Sequence, residues 1–159
     1  MIFVAFAALL TVGCTNSAQN EKGTATDTSP QVMEPVMTRE DTINAMAMAF
    51  AKQESGFNHL AVSPCGQWVG CLQLSEIMVR EANRIVGFGC FNYDDRYDRQ
   101  GSYAIFKIVQ QHHNKNLDID RAIDLWNPHC NASYRENVKK YFSENILNYS
   151  TLEDYYEIL

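Results

Sequence analysis

The segment "TREDTINAMAMAFAKQESGFN", residues 38–58, predicts the first helix of a helical domain and the point at which that helix ends. Thr38 can cap the start of the helix, with Asp41 three residues on in its first turn, and Gly56 can end the helix. Apolar residues recur at three- and four-residue steps between these caps, which predicts one buried face: Ile43, Met46, Ala47 and Phe50. Glu54 then stands in the last turn of the helix.

Further helices are predicted downstream, and no segment shows the period of two that is typical of a strand. One helix begins near Ser75, ends at Gly87 and has an apolar face made of Ile77, Met78, Ala82, Ile85 and Val86. The next covers "SYAIFKIVQQHH", with Ile105, Ile108, Val109 and His112 on one side. Asp118 can cap a fourth helix, and a fifth follows the break at Pro128. We therefore expect a mainly α domain of roughly five helices.

The first 37 residues are predicted to be an export signal and a tether. The run "IFVAFAALLTVG" is apolar but too short to span a bilayer, and it stops at Cys14, as a signal-peptide core does. We assign residues 1–13 to a lipoprotein-type signal peptide, 14–37 to a disordered linker rich in polar residues, and 38–159 to the folded domain. The segment "LTVGC" resembles a bacterial lipobox, which implies lipidation of Cys14 and a membrane anchor. A secretory peptide cleaved elsewhere and a buried apolar start are the alternatives.

Charge and cysteine content narrow the function classes. The net charge is −6, so nucleic acid is not an expected partner. Four cysteines remain besides Cys14, and in an exported domain they could form two disulfides with three possible pairings: Cys65, Cys71, Cys90 and Cys130. Cys65 and Cys71 could staple a loop, whereas four free thiols would fit a cytosolic protein. No Cys-x-x-Cys or His-x-x-x-His spacing is present, so we predict no metal and no cofactor.

Three blocks of sequence resemble the soluble-transglycosylase (SLT) type of lytic transglycosylase, a lysozyme-like family. The blocks are "ESGFN" at 54–58, "GCLQ" at 70–73 and "WN" at 126–127, in the order that the family has them. The resemblance covers about residues 40–142. It implies a lysozyme-like helical fold with an active-site cleft and a lytic murein transglycosylase activity, which cleaves the β-1,4 bond between N-acetylmuramic acid and N-acetylglucosamine in peptidoglycan.

The resemblance implies that Glu54 is the catalytic residue, first as an acid and then as a base toward the 6-hydroxyl of the sugar. The physical chemistry agrees, because a carboxyl in a partly apolar pocket at a helix C-terminus has a raised pKa and can hold a proton near neutral pH. Phe57 and Trp68 are candidates for the apolar wall of that pocket.

Substrate contacts are also implied by the resemblance. Ser55, Gln73 and Asn127 match polar positions of the three blocks. Trp126 stands where the family has Tyr, and Tyr134 could supply the missing hydroxyl. The expected partner is a peptidoglycan strand, with the protein a monomer that is exported, anchored in a membrane through its lipid and facing the periplasm or cell envelope.

Other functions remain open at this stage. A hydrolytic lysozyme (muramidase) would activate water and could use a second carboxylate from the loop, with Asp94, Asp95 and Asp98 as candidates. In that loop acidic and basic residues alternate, which is also typical of a solvated surface. A lipoprotein with the same fold that binds glycan, or serves as a scaffold, without cleaving it is an alternative from another class. An inhibitor or immunity-type lipoprotein is a third.

Overall fold

The computed structural model describes residues 37–148, and the regular structure in this range is helical. Five α-helices and one short 3₁₀ helix follow one another: α1 (Arg39–Ser55), α2 (Glu76–Val86), the 3₁₀ helix (Tyr93–Arg96), α3 (Arg99–His113), α4 (Ile119–Trp126) and α5 (Ala132–Leu147). Between residues 37 and 148 there is no strand, only two isolated bridges that join Val69 to Val62 and to Leu74. The predicted mainly α fold is confirmed. None of the described helices is long and apolar enough to cross a bilayer.

The predicted signal peptide, the lipid acceptor Cys14 and all but the last residue of the predicted linker lie outside the described residues, as does the end of the chain after residue 148.

Helix α1 is the centre of the domain. Its predicted caps are confirmed: Thr38 and Asp41 form the capping box, and Gly56 closes the helix at a φ of 61°. The predicted single apolar face is too narrow, because every residue from Ile43 to Ala51 is buried. Helices α3 and α5 both pack against α1, and the small alanines of "AMAMAFA" let them approach closely. A helix that is buried on all sides is typical of a core element.

The predicted faces of the next two helices are largely confirmed. Most of their predicted residues are buried or pack against the core: Met78, Ala82 and Ile85 on α2, and Ile105, Ile108 and Val109 on α3. Ile77 is 65% exposed and His112 is exposed, so the prediction was wrong for these two residues. Packing partners decide which residues at the margin of a face are covered, and apolar spacing alone does not report them.

The segment between α1 and α2 has no helix but is well anchored. Val69 exchanges backbone hydrogen bonds with Leu74 at 3.1 and 2.8 Å, and the amide of Gly70 donates to the carbonyl of Ala61 at 2.8 Å. The side chains of Val69, Leu72 and Leu74 are buried in the core. The segment is therefore fixed against the end of α1, where Glu54 is located.

Candidate functional site

A pocket of about 460 Å³ brings the three sequence blocks together. Its lining residues come from the end of α1, from the segment after it and from the end of α4: Glu54, Ser63, Trp68, Gln73, Trp126, Asn127, Pro128 and His129. Glu54, Gln73 and Asn127 were each predicted from a different block, and the fold places all three around one cavity. The fold thus brings residues of the three blocks together around one cavity.

Glu54 is half-buried and has an environment that favours its protonated form. Burial raises the pKa of its carboxyl, and a hydrogen bond from the Tyr134 hydroxyl to Oε1 offsets part of that rise. Among residues 37–148, no salt bridge reaches this carboxylate. The C-terminal position on α1 also disfavours a negative charge. A carboxyl in this setting can hold a proton and deliver it to a ligand in the pocket.

Tyr134 reaches Glu54 from the first turn of α5, which Asn131 caps by accepting a bond from the Tyr134 amide at 2.8 Å. Burial and the nearby charge of Glu54 raise the pKa of Tyr134, so its hydroxyl stays protonated and donates. The side chain of Asn127 interacts with the same hydroxyl. Asn127, Tyr134 and Glu54 therefore form a connected polar group. Trp126 has no hydroxyl to offer at this site, and the hydroxyl that bonds Glu54 belongs to Tyr134.

Gln73 lies in the pocket wall with its backbone in the left-handed region, at a φ of 49°. Its side-chain amide donates to the carbonyl of Gly70 at 2.9 Å and, at a longer 3.4 Å, to that of Ala61. These bonds fix the amide group and turn its donors toward the segment after α1. The amide oxygen is the atom that can then accept a hydrogen bond from a ligand.

Ser55 and Phe57 occupy positions that differ from the predicted ones. The hydroxyl of Ser55 donates to the carbonyl of Cys71 at 2.8 Å, which ties the end of α1 to the second block, and Ser55 does not line the pocket. This bond fits the alternative in which Ser55 satisfies backbone at the end of the helix, and it holds the site together. Phe57 is 37% exposed and is also absent from the lining, whereas Trp68 is part of it.

Trp126 joins the core to the pocket. Its ring centroid lies 4.8 Å from that of Phe106 and 5.8 Å from that of Phe50, with edge-to-face geometry. Such aromatic contacts are stabilising and directional. The indole therefore fixes the end of α4, and with it the neighbouring Asn127.

The four cysteines of the described region are free, and the predicted disulfides are absent from it. Cys65 is exposed, and its Sγ lies 3.5 Å from the hydroxyl oxygen of Ser63. Cys71 is buried in the core, and burial raises the pKa of its thiol. One side chain is in solvent and the other is in the core, so these two cysteines are not paired in this structure.

The acidic loop does not provide a second carboxylate to the pocket. Asp95 accepts a bond from the amide of Asn92 at 2.7 Å and closes the capping box of the 3₁₀ helix, and Asp98 caps α3 by accepting from the amide of Gly101 at 2.7 Å. Neither these residues nor Asp94 line the pocket, so Glu54 is the one carboxylate that the described residues contribute to its lining. The part of the chain that the structure describes also holds no group of three or more potential metal ligands.

Ser63, Pro128 and His129 are lining residues for which the sequence predicted no role in the site. Pro128 and His129 directly follow Asn127, so adjacency to the third block is the signal that could have identified them. Ser63 accepts a bond from the amide of Trp68 at 3.1 Å, a contact across five residues that no sequence pattern indicates.

Comparison with known proteins found no match among family models, curated proteins or solved structures. The functional interpretation therefore rests on the three blocks and on the geometry around Glu54.

Proposed function

We propose that this chain is a lysozyme-like enzyme that cleaves the β-1,4 bond between N-acetylmuramic acid and N-acetylglucosamine in peptidoglycan, as a lytic transglycosylase. The observation that carries the proposal is the state of Glu54. Its carboxyl is half-buried, bonded to Tyr134, without a salt bridge among the described residues, and placed in a pocket that Gln73 and Asn127 also line.

The proposed reaction uses Glu54 twice. The protonated carboxyl donates to the oxygen that links the two sugars, because an alkoxide is too poor a leaving group to depart unassisted. The resulting carboxylate then accepts the proton of the 6-hydroxyl as that oxygen attacks C1, which closes a 1,6-anhydro ring and restores the acid. Tyr134, held by Asn127, stabilises the carboxylate between the two steps.

The lining supports transglycosylation over hydrolysis. Glycosidases that use two carboxylates place them about 5 to 10 Å apart across the scissile bond. Here the described part of the chain places a single carboxylate in the pocket lining. The 6-hydroxyl belongs to the substrate itself, so no second carboxylate is needed to position it. An attacking water is usually positioned by a second carboxylate. We also propose, from the N-terminal sequence, that the enzyme is exported and anchored through Cys14.

Product analysis tests the proposal. Purified protein is incubated with peptidoglycan, and the released muropeptides are identified by mass spectrometry. We expect 1,6-anhydromuramoyl ends. Reducing ends that incorporate oxygen from labelled water would identify a muramidase instead. Glycan binding without any product would identify a non-catalytic binding protein.

Replacing Tyr134 with Phe tests the polar group around Glu54. Loss of the hydroxyl removes the bond that lowers the pKa of Glu54, so this pKa rises further above its ordinary value. An acid catalyst works only while protonated, and the alkaline limb of the activity profile should therefore move to higher pH. The peak rate should fall about fivefold, the equivalent of about one net hydrogen bond. A pH–rate profile measures both effects.

Tyr141→Phe is the matched control for this prediction. It removes a hydroxyl from the same helix, and the Tyr141 ring lies 4.2 Å below the ammonium of Lys52 rather than in the pocket. Its pH profile should match that of the unchanged protein. An unshifted alkaline limb in Tyr134→Phe would show that Tyr134 does not act on the catalytic acid.

A further inference from the structure

Trp68 is a large aromatic side chain that lies outside the buried core. It is 46% exposed and lines the pocket that contains Glu54. The only other tryptophan of the chain, Trp126, packs on Phe106 and Phe50. An indole that is left half in water loses much of the stabilisation that burial would give it. Its position is therefore better explained by a ligand than by folding.

Hydrogen bonds hold both the carbonyl and the amide of Trp68 in place. Its carbonyl accepts a bond from the amide of Ser63 at 2.9 Å, and its amide donates to the hydroxyl oxygen of Ser63 at 3.1 Å. The next residue, Val69, is buried and bridged to Val62 and Leu74. Little backbone freedom remains to be lost when a ligand contacts the indole, which favours binding.

The chemistry of the lining selects the class of ligand. Among residues 37–148, Glu54 is the one acid of the lining, and neither Lys nor Arg belongs to it. A polyanion would therefore find no Lys or Arg partner from this range and would meet a carboxyl. The side chains of Ser63, Gln73 and Asn127 supply hydroxyl and amide groups instead. Apolar surface combined with a few neutral polar groups fits an uncharged ligand that is rich in hydroxyls and amides.

We propose that Trp68 is a substrate-positioning platform that stacks on the C–H face of an uncharged N-acetylhexosamine ring next to Glu54. An aromatic ring carries partial negative charge on its face, and the axial C–H bonds of a pyranose are weakly positive. The same sugar presents its hydroxyl and acetamido groups at the ring edge, where the amides of Gln73 and Asn127 lie in the lining. The inference takes one thing from the proposed function, namely that the ligand is a saccharide.

Binding to a non-cleaving variant tests the platform separately from catalysis. The full chain carrying Glu54→Gln is titrated with an oligomer of β-1,4-linked N-acetylglucosamine, and tryptophan fluorescence is followed. We expect a blue shift and a change in intensity on binding. Trp68→Phe should keep the affinity, measured by calorimetry, but lose the fluorescence response. A response that persists in Trp68→Phe would assign the contact to Trp126 and overturn the proposal.

Trp68→Ala should weaken binding about tenfold, the equivalent of one lost aromatic contact. Phe88→Ala is the matched control, because Phe88 is 68% exposed and lies outside the pocket lining, and its affinity should not change. In the cleaving protein, Trp68→Ala should raise KM about tenfold with little change in kcat. An oligogalacturonate of equal length should not bind, and tight binding of this acidic polymer would contradict the predicted neutral specificity.

The outcomes separate this inference from the proposed function. Cleavage with an unchanged KM in Trp68→Ala would overturn the platform and leave the proposed reaction standing. Trp68-dependent binding of the oligosaccharide without any cleavage would support the platform and defeat the proposed reaction. Absence of saccharide binding in Glu54→Gln would overturn the platform directly.

Discussion

Glu54→Gln is expected to reduce peptidoglycan cleavage by about a thousandfold, the scale of the contribution that a positioned acid–base group makes. The amide keeps the size of the side chain and can still accept the bond from Tyr134. It cannot donate the proton that the leaving sugar needs. Release of soluble muropeptides, measured by mass spectrometry over equal times for variant and unchanged protein, gives the ratio of rates.

The same substitution should change stability in the opposite direction. Burial raises the pKa of Glu54 above its ordinary value of 4.5. A raised pKa contributes stability that is present below the unfolded value and is lost as pH rises through the folded one. Gln carries no charge at any pH. Glu54→Gln should therefore be more stable than the unchanged protein at neutral pH, and the two should converge near pH 4.

Glu136→Gln is the control for both measurements, because Glu136 is an exposed glutamate of α5 outside the pocket. It should keep full activity, and its unfolding free energy at neutral pH should stay close to that of the unchanged protein, as is usual for an exposed surface position. Equal cleavage by Glu54→Gln and Glu136→Gln would remove Glu54 from the mechanism. A neutral-pH loss of stability in Glu54→Gln would argue that the carboxylate has a structural partner.

Local signals in the sequence predicted the helix ends well. Thr38, Asp41 and Gly56 act through their own backbone and a few neighbours, so the capping box and the left-handed cap are visible in a short window. Asp118 caps its helix for the same reason. The opening helix, with Glu54 in its last turn, could therefore be placed without a structure.

Contacts between distant segments were harder to predict. Tyr134 was named for its hydroxyl, but its bond to Glu54 spans 80 residues of sequence and depends on the packing of α5 against α1. For Ser55 the sequence left a substrate contact and a backbone contact equally open, and its hydroxyl is bonded to the carbonyl of Cys71. Ile77 has helical spacing but faces solvent. Each of these outcomes depends on which neighbour occupies a face, and a one-dimensional pattern does not record neighbours.

Gly70→Ala should be the most destabilising of the substitutions considered. Gly70 has a φ of 79°, and a Cβ built on it would lie 1.7 Å from the carbonyl oxygen of Arg96. That oxygen cannot easily move, because it accepts a bond from the buried hydroxyl of Ser102 at 2.7 Å. We expect a loss of more than about 4 kcal/mol, which is large beside the 5 to 15 kcal/mol that stabilises a typical domain. Urea unfolding followed by circular dichroism measures it.

Gly66→Ala separates steric overlap from backbone strain. Gly66 lies in the same segment at a φ of 74°, but a Cβ there would meet nothing within 4 Å. Its substitution should cost only the left-handed penalty of about 1–2 kcal/mol. The difference between the two variants then measures how closely the segment before Gln73 approaches Arg96. Equal costs would mean that the backbone conformation alone requires a glycine at position 70, and that the second block is not held by contact with Arg96.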